Sequence, residues 1–141
     1  MAFYLRPSPY YNFSMTNTQP LKPHLLIVDD ESSLVELCQM ILEEAGFQVR
    51  GAYSGQQALR MIREQLPDII LLDVMMPGMT GIEVCQEIRS QYNGVPRIFM
   101  YTADDREETR RKSLDAGANA VIYKDISILD LPRKLTAYMS Q

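Results

Sequence analysis

Short unbroken apolar runs alternate along this chain with segments whose apolar residues recur every three or four positions. The first run, Leu25-Leu26-Ile27-Val28, predicts a buried strand over 24–29. Leu34, Leu37, Cys38, Ile41, Leu42 and Ala45 then follow helical spacing, closed by Gly46 as a C-cap. Phe47 to Ala52 reads as a second strand. Ser54 caps a helix carrying Ala58, Leu59, Ile62 and Leu66, which Pro67 stops. A third strand covers 68–73, and after the Pro77-Gly78 turn Ile82, Cys85, Ile88 and Tyr92 mark a third helix. Pro96 opens a fourth strand, Arg97 to Tyr101. The fourth helix, roughly 105 to 116, has Leu114 and Ala116 as almost its only apolar residues, so it is expected to be held weakly and to move easily. Ala118 to Tyr123 is a fifth strand. A last helix with Leu131, Leu135, Tyr138 and Met139 must start near Asp130, because Pro132 is tolerated only in a first turn.

Five strands alternating with five helices imply an α/β fold, a parallel sheet covered on both faces by right-handed crossovers. Such sheets bind ligands at the carboxyl ends of their strands. Asp29, Asp30, Asp73, Thr102 and Lys124 all fall at those ends. If the first and third strands are neighbours, three acids meet at one edge, and their repulsion raises at least one pKa unless a cation sits among them. Mg²⁺ prefers oxygen ligands and keeps several waters. Asp30, Asp73 and the Met75 carbonyl are the candidate ligands, with Asp29 acting through water, and Mn²⁺ could substitute. A carboxylate such as Asp73 can attack a phosphoryl group, with Lys124 and the Thr102 hydroxyl meeting phosphoryl oxygens. Each residue also has a plainer reading. Asp29 and Asp30 could favour the positive end of the first helix, Thr102 could simply end a strand, and Lys124 could be an ordinary surface lysine. His24, the one histidine, reads as a bystander, and the charged string Asp104 to Lys112 as a solvated helix face that could double as a partner surface.

At 141 residues with 46% hydrophobic content, the chain suits one domain with a real core, and no run is long enough to insert in a membrane. Residues 1 to 23 contain Arg6 and Lys22 and no acids, so 12 bases face 18 acids in the rest, a balance of −6. Nucleic acid is therefore not expected as a direct partner. Residues 1–23 also hold four prolines and several aromatics without periodicity, and read as an extended tail before a domain spanning 24–141. Cys38 and Cys85 lie on apolar helix faces without metal-ligand spacing, which fits reduced, buried thiols in the cytoplasm.

Taken in order, Val28-Asp29-Asp30-Glu31, Asp73-Val74-Met75-Met76-Pro77 with Gly81, Thr102-Ala103, Gly117-Ala118 and Lys124 resemble the response-regulator receiver domain of two-component signalling, over residues 24 to about 139. The resemblance implies a flavodoxin-like (βα)5 three-layer sandwich with strand order 2-1-3-4-5. It implies Mg-dependent phosphoryl transfer from a histidine kinase or phosphotransfer protein to Asp73, Thr102 as the switch hydroxyl, and slow self-dephosphorylation. A downstream protein would be met through the fourth helix, fifth strand and fifth helix, and a homodimer is compatible with it. Two positions depart from the family pattern. Val121 replaces an aromatic whose rotamer reports the threonine's movement, with Tyr123 two residues on facing the same side. Asp125 replaces the proline after the lysine, so a trans peptide is expected there, with Lys124 displaced or partly engaged by Asp125.

The chain ends two residues beyond Met139, so the expectation is a stand-alone receiver. A phosphorylation-independent adaptor is the alternative, which Val121 and Asp125 favour and the complete acidic pocket disfavours. A phosphohydrolase commonly needs a second Asp two residues after the nucleophile, where Met75 stands. A flavin phosphate would be repelled by Asp29-Asp30-Glu31.

Overall fold

The computed structural model describes residues 21–141. All but the last three residues of the expected tail lie outside that range. Within it, the chain runs β1 (His24–Val28), α1 (Ser32–Glu44), β2 (Gln48–Ala52), α2 (Gly55–Glu64), β3 (Ile69–Leu72), α3 (Gly81–Gln91), β4 (Arg97–Thr102), α4 (Glu107–Asp115), β5 (Ala120–Tyr123), a 3₁₀ turn (Ile128–Asp130) and α5 (Leu131–Met139). The strands form one sheet in the order β2-β1-β3-β4-β5, every pairing parallel. This is the flavodoxin-like topology.

The unbroken apolar runs are explained by burial on both faces. Alternate residues point to opposite sides. Leu26, Val28, Ile70, Leu72, Ile98 and Met100 pack with Ala58, Ile62, Val84, Cys85 and Ile88, while Leu25, Ile27, Ile69, Leu71, Phe99 and Tyr101 pack with Val35, Cys38, Leu42, Leu131 and Leu135. Helices α1 and α5 therefore cover one face and α2, α3 and α4 the other. Both cysteines are free and buried.

Local signals fix most element ends. Ser54 Oγ accepts the Gln57 N–H, and Thr80 with Glu83 forms a reciprocal capping box at α3. Pro132 sits in the first turn of α5. Gly46 adopts φ +104° just after α1, a left-handed conformation that ends the helix at little cost only for glycine. Glu31 is the N-cap residue of α1, and its side chain makes no cap hydrogen bond. Asp30 therefore does not cap the helix. Helix α4 docks differently from expectation. It buries Thr109 and Ser113, with the Ser113 hydroxyl donating to the Thr109 carbonyl, while Leu114 is only half-buried. The face it buries is built of small hydroxyl residues, a signal that apolar periodicity does not carry.

Candidate functional site

The register of β1 and β3 creates the site. Val28 pairs with Leu72, so the next residues, Asp29 and Asp73, leave adjacent strands at the same height. The Asp73 N–H donates to the Val28 carbonyl and the Asp29 N–H to Ala52, extending both ladders to the carboxylates themselves. Asp29 is 2% and Asp73 6% exposed, whereas Asp30 turns out to solvent. One carboxylate oxygen from each of Asp29, Asp30 and Asp73 lies within 4.8 Å of the others. Two oxygens bound to one Mg²⁺ at about 2.1 Å sit about 3 Å apart when adjacent and about 4.2 Å apart when opposite. The cluster therefore needs only small closure, or a bridging water, to share an ion.

The loop after Asp73 is held by a close approach. Gly81, the first residue of α3, donates to the Val74 carbonyl at 2.9 Å, and a Cβ at this position would overlap the Asp73 carbonyl oxygen. Only glycine fits there. The Met75 N–H points to Asp73 Oδ1 at 3.4 Å, and the Met75 side chain is exposed.

Lys124 is the first residue after β5, anchored by its N–H to the Thr102 carbonyl. Its side chain crosses the end of β4, passes over the Tyr101 ring at 5.6 Å, and places Nζ 2.8 Å from Asp29 Oδ2 and 3.6 Å from Asp73 Oδ2. The expectation that Lys124 is displaced or partly engaged by Asp125 is thus corrected. Asp125 is exposed, and the buried acids offer the ammonium a stronger field than a solvated one does. The Lys124–Asp125 peptide is trans, since Val95–Pro96 is the only cis bond among the described residues. Asp29 also accepts the Glu31 N–H through Oδ1, so both of its oxygens are engaged within the protein.

One ammonium faces three carboxylates, and the imbalance falls on Asp73. Burial, with the Asp29 charge added, pushes its carboxyl up to about 6, against the opposing pull of Lys124 and the Met75 N–H. Burial alone would lower Lys124, but its bond to Asp29 and the Asp73 charge outweigh that and hold the ammonium above its usual value. The donor set carries more negative charge than Lys124 alone offsets. The hard oxygen ligands, the open side at Asp30 and the surplus of negative charge all fit a divalent ion such as Mg²⁺.

Thr102 ends β4 fully buried, and its Oγ1 accepts the Asp104 N–H at 3.1 Å. His24 stands at the opposite end of β1, its Nδ1 3.0 Å from Gln65 Nε2 and away from the acids. Val121 is half-buried against the α2–α3 side core, and Tyr123 is half-buried beside it on β5. Two features escaped sequence reasoning: Tyr101 beneath Lys124, and Asp104, whose carboxylate is drawn into a hydrogen-bonded cluster with Arg106 and Thr109. The first looks like ordinary core, and the second like a solvated charge run.

A parallel 2-1-3-4-5 sheet with acids and a lysine converging at its carboxyl edge defines a flavodoxin-like domain with a charged ligand edge. Within that class, the chain belongs to the response regulator receiver domain family, whose sequence profile matches residues 25–136. Solved structures agree. The chain is similar to the chemotaxis protein CheY4 of Vibrio cholerae, at 30% identity over 83% of this chain and 98% of that one, with a TM-score of 0.77. It is similar to a response regulator from Chloroflexus aurantiacus, at 32% identity over 85% of this chain and 99% of that one, with a TM-score of 0.76. It is also similar to a CheY-like receiver domain protein from Methanospirillum hungatei, at 28% identity, 84% and 94% coverage, and a TM-score of 0.78. Receiver domains are signalling modules that meet histidine kinases and downstream targets and bind a divalent metal at an acidic cluster. This chain carries such a cluster.

Proposed function

We propose that Asp73 is the phosphoacceptor of this receiver domain, taking a phosphoryl group from a histidine kinase or a phosphotransfer protein. A carboxylate oxygen of Asp73 forms a bond to phosphorus as the N–P bond of the donor phosphohistidine breaks, and the electron pair leaves with the imidazole nitrogen, which takes up a proton. Asp30, Asp73 and the Met75 carbonyl would hold a Mg²⁺ or Mn²⁺ ion, with Asp29 reached through water. When bound, that ion would neutralise charge on the phosphoryl oxygens. Lys124 would meet one phosphoryl oxygen, exchanging its bond to Asp29 for one to the incoming group, and Thr102 would donate to another. The reaction is positioning and charge neutralisation, with slow hydrolysis resetting the domain. Its output would be a protein contact through α4, β5 and α5. The free, buried thiols support a reducing, cytoplasmic setting.

The single observation that carries this reading is the convergence of three carboxylate oxygens within 4.8 Å, with Lys124 2.8 Å from one and 3.6 Å from another. Incubation with acetyl phosphate and Mg²⁺, followed by intact-mass spectrometry, tests it. One added phosphoryl group is expected on the wild-type chain, and none on Asp73→Asn or in EDTA. Full modification of Asp73→Asn would refute Asp73 as acceptor. No modification of the wild type under saturating donor would leave the constitutive adaptor reading, which Val121 favours.

A further inference from the structure

Resting on the reading of Thr102 and Asp73 above, we infer that Asp104 is the positioning residue that couples the Thr102 hydroxyl to helix α4, in place of an aromatic on β5. The carboxylate of Asp104 accepts from the Arg106 N–H at 3.1 Å, from Arg106 Nε at 2.9 Å and Nη2 at 2.7 Å, and from the Thr109 hydroxyl at 2.7 Å. It is only 10% exposed, although it stands in a segment whose composition reads as solvated surface. Its own N–H donates to Thr102 Oγ1. A continuous hydrogen-bonded path therefore runs from the buried hydroxyl at the end of β4, through the backbone and side chain of one residue, into the first turn of α4.

Three facts make this path the main support for α4 at that end. The helix buries Thr109 and Ser113 rather than large apolar side chains, so little hydrophobic packing holds it. Arg106, its N-cap residue, makes no side-chain cap bond, so Asp104 supplies the anchoring instead. Val121 has no polar tip with which to follow Thr102. A bidentate guanidinium–carboxylate pair is geometrically strict. Arg106 and the Thr109 hydroxyl hold the Asp104 carboxyl well below the usual carboxylate range, so the pairing persists across the working pH. When Thr102 Oγ1 shifts towards a phosphoryl group on Asp73, the Asp104 N–H must follow it or lose its acceptor, and either outcome displaces the carboxylate that ties down Arg106 and Thr109. The bistable element is then this cluster, closed on α4 in one state and pulled away in the other.

Hydrogen–deuterium exchange across Glu107–Asp115, with and without Mg²⁺ and beryllofluoride, tests the coupling in the full chain. In the wild type, activation is expected to change exchange in α4 severalfold. In Asp104→Ala, α4 should exchange fast before activation and respond little to it, while acetyl phosphate still adds one phosphoryl group to Asp73. Thr109→Val, which keeps shape and removes one bond, should give an intermediate response and serves if Asp104→Ala folds poorly. A full wild-type response in both variants would overturn the inference, as would an α4 that does not respond in a wild type that takes up phosphate. Absence of phosphorylation in the wild type would instead count against Asp73 as acceptor.

Discussion

Asp73 carries the clearest consequence of burying like charges. Its carboxyl, displaced upward to about 6 by desolvation and by Asp29, ionises at a cost in the metal-free fold. For a group with a raised folded value, the stabilising contribution is complete below the ordinary value of 3.8 and is lost as pH rises through about 6. In EDTA, the wild type should therefore lose stability relative to Asp73→Asn between pH 4 and 7, by roughly 2 kcal/mol. Denaturant unfolding of both proteins at pH 4, 5, 6 and 7 measures this. A gap that stays constant across the series contradicts the account, because the substitution would then act by packing alone. The acids, Thr102 and Lys124 were legible as residues because each stands where a strand pattern stops. The pairing of Lys124 with Asp29 was not, since it depends on the reach of a side chain across β4 and over Tyr101.

Among the elements, the junction of the β3–α3 loop with α3 is pinned by a close backbone approach. Gly81 is required there by close approach to the Asp73 backbone, and a backbone neighbour cannot swing aside as a flexible side chain can. Gly81→Ala should destabilise the domain by about 1–3 kcal/mol and slow phosphorylation, because relief of the overlap moves the Asp73 loop. Thermal unfolding together with the rate of mass gain from acetyl phosphate checks both effects. Unchanged stability and rate would show that the loop yields freely. The sheet and four helices were readable from periodicity because their apolar stripes are what hold them. Helix α4 was the exception: Thr109 and Ser113 read as polar, yet they are its buried face, and Asp104 reads as solvated, yet it is tied to Arg106 and Thr109. Where small hydroxyls and hydrogen bonds do the docking, a hydrophobic pattern has nothing to report.

At the scale of the molecule, the two-sided core makes a stiff sheet whose carboxyl edge collects charge, and the weakly packed α4 lies on the same face as α2 and α3. Strand order was available only through the resemblance carried by the acidic pair, the Asp73 loop, Thr102 and Lys124, since alternating strands and helices alone permit several orders. Among the described residues, no helix is long and apolar enough to cross a membrane. The departures at Val121 and Asp125 leave the acid cluster intact and bear on how a change at Asp73 leaves it. On the function proposed above, Asp29, Asp30 and Asp73 together hold one divalent ion beside a reactive Asp73. A crystal structure grown with Mn²⁺ and beryllofluoride, with an anomalous map, tests it directly. One manganese peak is expected about 2.2 Å from oxygens of Asp30 and Asp73, with beryllofluoride on Asp73 and Lys124 moved from Asp29 towards a fluoride. An unmodified Asp73 at saturating Mn²⁺, with Lys124 still on Asp29 and no peak among the acids, would contradict it.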